Sequence, residues 1–333
     1  MPAAKRPSPV LRPPAAVTRL SGVAIGADVA RRHLRVAVVG AGHEILASRA
    51  VSATADADTR PAEVLREAAA LARDLLTGLG LTPGAVLGAG LAVPAPLTLD
   101  GRIGSDTWLP AWADLVPGEV FGAALDGVAV TAGNDASLGA LGEHVFGRAR
   151  TSRNLMYVKA ATGIGAGFVI NGVLYRGAAG TAGEIGHVTL DRAGDPCRCG
   201  NRGCLEQYAG GAVILGRAHA AGRPWTGLTE LAAAARAGDD LARDLVTTAG
   251  RHLGEALGTV INVWNPDRIL IGGELTDAGD LLLDPLRASL TRTALPIASG
   301  AVTVEPAALA GMSTALGAAA LILSARSTGS ALS

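Results

Sequence analysis

One order of strands and helices occurs twice along this chain, and this repeat constrains the fold more than any other feature. The first copy has the strand-like runs VAIGAD and LRVAVV, a third run near Ile45, a helical pattern over 61–79 and the strand VLGAGLAV. The second copy has the runs LMYVKA, AGFVI and VLYRG, a turn at Asn171-Gly172, helices and the run RILIGG. The sequence therefore predicts an α/β protein with two related lobes and a cleft between them, divided near residue 133.

The size and charge of the chain limit its possible functions. Its 333 residues are enough for two lobes with substantial cores, and 49% of them are hydrophobic. No uninterrupted apolar run reaches the ~20 residues that a membrane-spanning helix needs. The formal net charge of zero gives no electrostatic reason to bind nucleic acid or a membrane surface. We therefore expect a protein that binds no membrane and, by this chain alone, no nucleic acid, and the clustered cysteines favour a reducing, cytoplasmic setting.

Residues 1–22 are predicted to be a flexible, basic, proline-rich arm. The first twenty residues contain five prolines, four basic residues and no acidic residue, a composition that disfavours a helix. They also lack the apolar core of a signal peptide.

The three cysteines of the chain all lie in the segment CRCGNRGC, residues 197–204. An odd number of cysteines in one short segment argues against a disulfide framework. The thiolates of Cys197, Cys199 and Cys204 can converge on one ion, and His187 offers a fourth ligand. A filled Cys3His set predicts structural rather than catalytic zinc, while the alternative is three buried structural cysteines.

The segment GEIGH at 183–187, followed by CRCGNRGCLE at 197–206, resembles the signature of the ROK family of bacterial sugar kinases and sugar-responsive repressors. The likeness extends from about Val23 to Ala320. It implies the two-lobed, actin-like (ribonuclease H-like) ATPase fold with a structural zinc loop. It also implies a homodimer or homotetramer.

The resemblance divides the chain as follows. An N-terminal α/β lobe is expected over 23–132 and a C-terminal α/β lobe with the zinc site over 133–316. A helix and tail over 317–333 are expected to return to the N-terminal lobe.

The same resemblance implies a sugar site. It assigns sugar contacts to Asn134, Asp135, Glu184, His187 and Glu206, with Asp135 as the catalytic base. Carboxylates, an amide and an imidazole can hold a ring of hydroxyl groups that both donate and accept hydrogen bonds. Other interpretations stay open: Asn134 and Asp135 are also typical of a turn or a helix cap. Taken singly, Glu184 and Glu206 are typical of exposed surface charges.

The segment ATGIGAGF, residues 161–168, lies between two predicted strands and resembles the second phosphate loop of the family. Thr162 offers a hydroxyl group, and Gly163 and Gly165 leave backbone N–H groups open to phosphate oxygens. Alternatively, these glycines shape a tight turn. The segment IGGEL, with Gly272 and Gly273, resembles the loop beneath the adenine.

The first phosphate loop departs from the family pattern. Relatives have an Asp, a hydrophobe, two glycines and a Thr, whereas here Asp28 is followed by Val-Ala-Arg-Arg-His. Arg31 and Arg32 are predicted to contact the nucleotide phosphates in place of the missing groups, or else to face solvent. Trp108 is a second departure, at a position where many relatives have Asn near the sugar.

Two functions follow from these residues. The first is an ATP-dependent, Mg²⁺-requiring kinase of a hexose or amino sugar, and the residues of the sugar site favour it. The second is a sugar-binding relative of the ROK regulators without kinase activity, which the altered first loop and the segment RPPAAVTRL favour. With about twenty residues before the first strand, we expect no DNA-binding domain in this chain.

Overall fold

The computed structural model describes residues 22–31, 33–104 and 109–327. The predicted arm at 1–22 lies almost wholly outside the described residues, as do Arg32 and Trp108. No helix among the described residues is long and apolar enough to cross a membrane.

The first half of the chain forms a five-stranded mixed sheet with the order β3-β2-β1-β4-β5. Strands β1, β2 and β3 are antiparallel neighbours, whereas β4 and β5 continue the sheet from β1 in parallel. The strand bounds are β1 Val23–Val29, β2 His33–Gly40, β3 Ile45–Ser52, β4 Val86–Val93 and β5 Val130–Asn134.

The second half repeats this arrangement in a sheet with the order β10-β9-β6-β7-β8. Strands β6, β7 and β8 are antiparallel neighbours, and β9 and β10 extend the sheet from β6 in parallel. The bounds are β6 Leu155–Ala160, β7 Ile164–Ile170, β8 Val173–Tyr175, β9 Arg268–Gly272 and β10 Thr303–Pro306. The repeat predicted from the sequence is therefore confirmed as two sheets of the same topology.

Ten α-helices lie within the described residues. Their bounds are α1 Pro61–Gly78, α2 Pro117–Ala124, α3 Asp135–Val145, α4 Glu206–Ala209, α5 Gly211–Ala220, α6 Leu228–Ala237, α7 Asp240–Trp264, α8 Asp280–Thr293, α9 Pro296–Ala301 and α10 Ser313–Ser327. Short 3₁₀ turns cover Pro83–Ala85, Pro110–Trp112, Ile185–His187 and Glu274–Ala278. Helix α1 matches its predicted range to within one residue, and α10 begins at Ser313 rather than at 317.

Two helices lie between the sheets. Helix α10 packs on β1 and β4 of the first sheet, α3 packs on β6 and β7 of the second, and the two helices pack on each other. Each sheet buries its opposite face against further helices, α1 in the first half and α7 in the second. The core is therefore layered, with the α3–α10 pair joining the two halves.

Glycines allow this close layering. Added Cβ atoms at Gly26 and Gly90 would overlap backbone atoms of α10, and one at Gly142 of α3 would overlap the carbonyl oxygen of Ser313. Contacts of backbone against backbone leave no side chain that could move aside, so these positions exclude larger residues.

We expect Gly90→Ala to lower the free energy of unfolding by about 1–3 kcal/mol, because its Cβ would overlap the carbonyl of Ala318. The matched control is Gly216→Ala on the exposed side of α5, where an added Cβ meets nothing within 4 Å. That control should be neutral or stabilising, because Ala has the higher helix propensity. Urea unfolding curves of both variants measure the difference, and equal effects would contradict this packing.

Candidate functional site

A buried cluster of charged side chains lies where the carboxyl ends of strands from both sheets approach one another. Asp28 is near the end of β1, Lys159 is near the end of β6, and Asp135 begins α3 directly after β5. The Nζ atom of Lys159 lies 2.8 Å from Oδ2 of Asp135 and 4.0 Å from Oδ1 of Asp28. The ammonium group is therefore held between carboxylates from two parts of the fold. In open α/β sheets, this edge of the strands is where ligands commonly bind.

The ammonium of Lys159 is strongly stabilised in this position. Its side chain is 12% exposed and that of Asp28 is 1% exposed. Burial opposes the charge of Lys159, but the charges of Asp135 and Asp28 outweigh it, so the pKa of the amine is raised above its ordinary value. Lys159 is consequently a permanent cation near neutral pH.

Arg35 adds a second charged link between the sheets. It lies opposite Asp28 in the β1–β2 register and donates to Oδ2 of Asp28 at 3.2 Å. It also donates to Oε1 of Glu274 at 3.3 Å, just after β9 of the second sheet. Burial alone would raise the pKa of Glu274, yet Lys159 and Arg35 hold it below its ordinary value. The two sheets are thus joined through ion pairs at this edge.

Asn134 and Asp135 have structural partners at the start of α3. Oδ1 of Asn134 accepts from the N–H groups of Ala136 and Ser137 at 3.0 and 3.1 Å, which confirms the helix-cap interpretation. Its Nδ2 donates to the carbonyl of Ala95. Oδ1 of Asp135 accepts from the N–H of Ala136 at 2.7 Å, and Oδ2 accepts from Lys159. The cap leaves their predicted contacts with a sugar untested.

Two further acidic residues of the predicted sugar site lie in the second half of the chain. Glu184 precedes the 3₁₀ turn that contains His187, and Glu206 begins α4. Burial, followed by the charges of Asp135 and Glu206, raises the pKa of Glu184 to about 7. The charges of Asp135 and Glu206 thus act on Glu184. These carboxylates offer acceptors suited to hydroxyl donors.

Glu206 is buried and fixes the turn that was predicted to be the second phosphate loop. Its Oε2 accepts from the N–H of Ile164 at 3.1 Å, and its Oε1 accepts from Nη2 of Arg198 at 3.0 Å. A Cβ at Gly163 would crowd Oε2 of Glu206, while Cβ atoms at Gly165 and Gly167 would crowd Ala136 in α3. Close packing against Glu206 and α3 therefore accounts for these glycines, two of which lie within strand β7 and not in a turn. Nucleotide binding by Thr162, Gly163 and Gly165 stays a prediction.

The other predicted nucleotide residues have local roles as well. Gly272 packs against the hydroxyl of Tyr157, and Gly273 has a φ of +90° and lies against the carbonyl of Ala160. The guanidinium of Arg31 ion-pairs with Asp58 at 2.9 Å and with Asp56 at 3.4 Å, on the turn before α1. These acidic partners account for the position of Arg31 without a phosphate.

A cavity of about 350 Å³ opens beside Glu206. It is lined by Thr162, Pro196, Arg198, Glu206, Gln207, Ala212 and Val213. Hydroxyl, amide, guanidinium and carboxylate groups share its wall with apolar side chains, as is typical of small-molecule sites.

His187, Cys197, Cys199 and Cys204 converge on one point, with their ligand atoms within 4.8 Å of one another. Nδ1 of His187 lies 3.5 Å from Sγ of Cys197, and the Sγ atoms of Cys199 and Cys204 are 3.6 Å apart. A tetrahedron with Zn–S bonds of about 2.3 Å has S···S edges of about 3.8 Å. The donors therefore fit a metal ion such as zinc, as the cysteine spacing predicted.

Comparisons with known proteins identify the family of the chain. The model of the ROK family matches residues 24–325. The DNA-binding transcriptional repressor Mlc of Escherichia coli K12 is 34% identical over 255 residues, which are 73% of this chain and 62% of the repressor. The chain belongs to the ROK family.

Solved structures extend the comparison to three dimensions. A ROK family transcriptional regulator, a homologue of E. coli Mlc, has a TM-score of 0.75 and 28% identity, covering 92% of this chain and 78% of that chain. A ROK family glucokinase from Streptomyces griseus, in complex with glucose and AMPPNP, has a TM-score of 0.73 and 26% identity, covering 90% of this chain and 99% of that chain. The ROK family thus includes both regulators and sugar kinases with this fold.

Sequence reasoning missed the most consequential residue of this ROK protein. Lys159 lies in LMYVKA, a run that is otherwise apolar and that forms the buried strand β6. A single charge inside such a strand requires a buried partner, and that signal was available in the sequence. The partners themselves are distant in sequence, so only the fold identifies them.

The raised pKa of Glu184 predicts how the stability of the protein depends on pH. The pKa of Glu184 is about 7 in the folded state against an ordinary value of 4.5. The contribution of this carboxyl to folding stability is therefore most favourable below pH 4.5 and is lost as pH rises through about 7. Relative to wild type, Glu184→Gln should therefore become more stable between pH 5 and pH 8, by about 1–3 kcal/mol. Glu119→Gln, on the exposed side of α2, is the control.

Unfolding free energies at the two pH values measure this change. A difference between Glu184→Gln and wild type that stays constant from pH 5 to pH 8 would show that Glu184 is not a buried, titrating carboxyl.

Proposed function

We propose that this chain is a sugar-sensing module of the ROK regulator type, which binds a sugar without phosphorylating it. The observation that carries this proposal is the 2.8 Å ion pair between Lys159 and Asp135. In a kinase of this family, Asp135 would have to accept the proton of the attacking hydroxyl group.

The ion pair opposes that role on physical grounds. Lys159 already donates to Oδ2 of Asp135, and the N–H of Ala136 donates to Oδ1. Each oxygen keeps a second lone pair, so a hydroxyl can still donate to Asp135, but transfer of its proton would neutralise the carboxylate that balances the buried ammonium of Lys159, which is costly. As a hydrogen-bond acceptor for a sugar, by contrast, the paired carboxylate needs no proton transfer.

The nucleotide side of the site supports the same conclusion. Asp28 is paired with Arg35 and lies close to Lys159, and Arg31 is paired with the turn before α1. The charges that would meet ATP phosphates and Mg²⁺ are thus engaged by protein groups. The sequence similarity to the repressor Mlc is consistent with a sensor, although this chain spans 62% of the length of that relative.

For the sugar itself, we propose contacts from Asn134, Asp135, Glu184, His187 and Glu206. Their acceptors, with the imidazole of His187, suit a ligand that presents several hydroxyl groups. Assembly into a homodimer or homotetramer stays a prediction from the family resemblance.

A sugar kinase is the second candidate. It is favoured by the presence of Asp135 in the expected position and by the fold shared with the S. griseus glucokinase that holds glucose and AMPPNP. In this case ATP with Mg²⁺ would be held by the predicted nucleotide residues, which are Asp28, Arg31, Arg32, Thr162, Gly163, Gly165, Gly272 and Gly273. Asp135 would accept the hydroxyl proton beside the ammonium of Lys159.

We further propose that the cluster of His187 and three cysteines holds structural zinc. Four protein ligands complete a tetrahedral set, which leaves no open position for catalysis. The ion would fix the loop between the turn that carries Glu184 and the helix that begins with Glu206.

Purified protein should contain about one zinc ion per chain, and Cys199→Ser should lower both zinc content and thermal stability, because metal binding and folding are coupled. Atomic emission spectrometry and thermal unfolding measure the two quantities. Ser137→Ala, at a buried position outside this loop, is a control that should leave the zinc content unchanged. A well-folded protein that takes up no zinc would contradict this assignment.

Calorimetry and a coupled ADP-release assay, with a panel of hexoses, pentoses and N-acetylhexosamines, distinguish the two functions. We expect at least one sugar to bind in the absence of nucleotide and none to stimulate ADP release. At pH 8, where the carboxyl of Glu184 is mostly ionised, Glu184→Gln should weaken that binding by roughly 10-fold or more, because hydrogen bonds to charged groups contribute about 1.5–3 kcal/mol. Asp244→Asn, exposed on α7, should not change it.

The opposite result is sugar-dependent release of ADP that is abolished by Asp135→Asn. That outcome would establish the kinase and refute the sensor.

A further inference from the structure

The charged cluster between the sheets contains more carboxylates than cations. Three carboxylates, from Asp28, Asp135 and Glu274, meet the cations of Arg35 and Lys159. Arg35 bridges Asp28 to Glu274, so Lys159 is the cation between Asp28 and Asp135. Without Lys159, the single charge of Arg35 would remain to balance three carboxylates, and Asp135 would lose the cation that pairs with it.

The sequence uses lysine very sparingly, which makes its presence here informative. The chain has 27 arginines and two lysines, Lys5 and Lys159. An ammonium group is a compact point charge on a flexible stem, whereas a guanidinium is a broad planar fork. The flexible stem of Lys159 places that compact charge 2.8 Å from Asp135 and 4.0 Å from Asp28.

The carboxylate of Asp28 favours a cation between Asp28 and Asp135. Its Oδ1 is buried and, among the described residues, has no hydrogen-bond partner, while its Oδ2 accepts from Arg35. The Nζ atom of Lys159 faces Oδ1 at 4.0 Å, beyond hydrogen-bond distance. The oxygen is therefore compensated electrostatically, in a geometry that leaves it available as a ligand.

We propose that Lys159 is a built-in cation that takes the place of a divalent metal ion between Asp28 and Asp135. Truncation of its side chain should convert this part of the protein into a site for a hard divalent cation. Two carboxylate oxygens from different elements would supply protein ligands, and waters in the space left by the side chain would complete the shell. Small hard cations commonly keep several waters when they bind to one or two carboxylates.

The role of Lys159 as a built-in cation rests on the proposed function, because a site that holds no metal suits a sensor that needs no Mg²⁺. Both proposals involve the Lys159–Asp135 pair. The experiment separates the two, because metal uptake is measured without sugar or nucleotide.

The test is titration of zinc-loaded protein with Mn²⁺ alone, with free Mn²⁺ counted by electron paramagnetic resonance. Lys159→Ala should bind about one Mn²⁺ per chain, at least about tenfold more tightly than wild type. Mn²⁺ should also raise the Tm of Lys159→Ala without changing that of wild type. Lys159→Arg keeps the charge and should gain no site, and Lys159→Ala combined with Asp135→Asn should lose the gained site.

Equal Mn²⁺ affinity of Lys159→Ala and wild type would overturn the proposal, and folding of Lys159→Ala that requires Mn²⁺ would support it.

If this variant does not fold with or without Mn²⁺, Lys159→Met is compared with the double variant Lys159→Met, Asp135→Asn. Removing one partner of a buried pair is far more destabilising than replacing both. The double variant should therefore have the higher Tm, by about 5 °C or more, or be the one that folds. Equal Tm values, or failure of both variants to fold, would overturn the proposal.

Discussion

The ammonium of Lys159 lies between carboxylates that belong to the two halves of the molecule, and the chemistry of the site depends on this contact. It is paired with Asp135 at the start of α3 and faces Asp28 at the end of β1. The same pairing that stabilises the buried negative charge also engages the carboxylate that a kinase would need as a base. The charge balance of the cluster and the position of Asp135 are thus two consequences of one interaction.

The close approach of the sheets makes that contact possible. Glycines in β1 and β4 let α10 lie directly on the first sheet, and Gly142 lets α3 cross α10 at backbone distance. A thicker layer would move β6 away from β1, and the side chain of Lys159 could not then reach both carboxylates. The glycines that allow close packing of the helices therefore also allow the ion pairs of Lys159 to form.

Local and periodic features of the sequence were sufficient to predict the two-sheet repeat, helix α1 and the convergence of His187 with the three cysteines. Contacts between segments that are distant in sequence could not be predicted from such features. The sequence predicted that Arg31 contacts nucleotide phosphates. Its observed partners, Asp56 and Asp58, lie on a turn whose position next to Arg31 depends on the fold. The glycines of 161–168 fit a phosphate loop by pattern, whereas Glu206 and α3 explain them by packing. A linear pattern gives residue types and spacing, and such long-range pairings require the tertiary structure.

The measurement that tests this account most directly is nuclear magnetic resonance of the Lys159 ammonium in protein labelled with ¹⁵N-lysine. Because the chain has two lysines, Lys5→Arg leaves a single side-chain signal to observe. The account predicts a protonated ammonium that exchanges slowly with water at pH 8 and persists when sugar binds, and whose protection is lost in Asp135→Asn. A rapidly exchanging, solvated amine that is unaffected by Asp135→Asn would contradict the central claim that Lys159 engages the charge of Asp135.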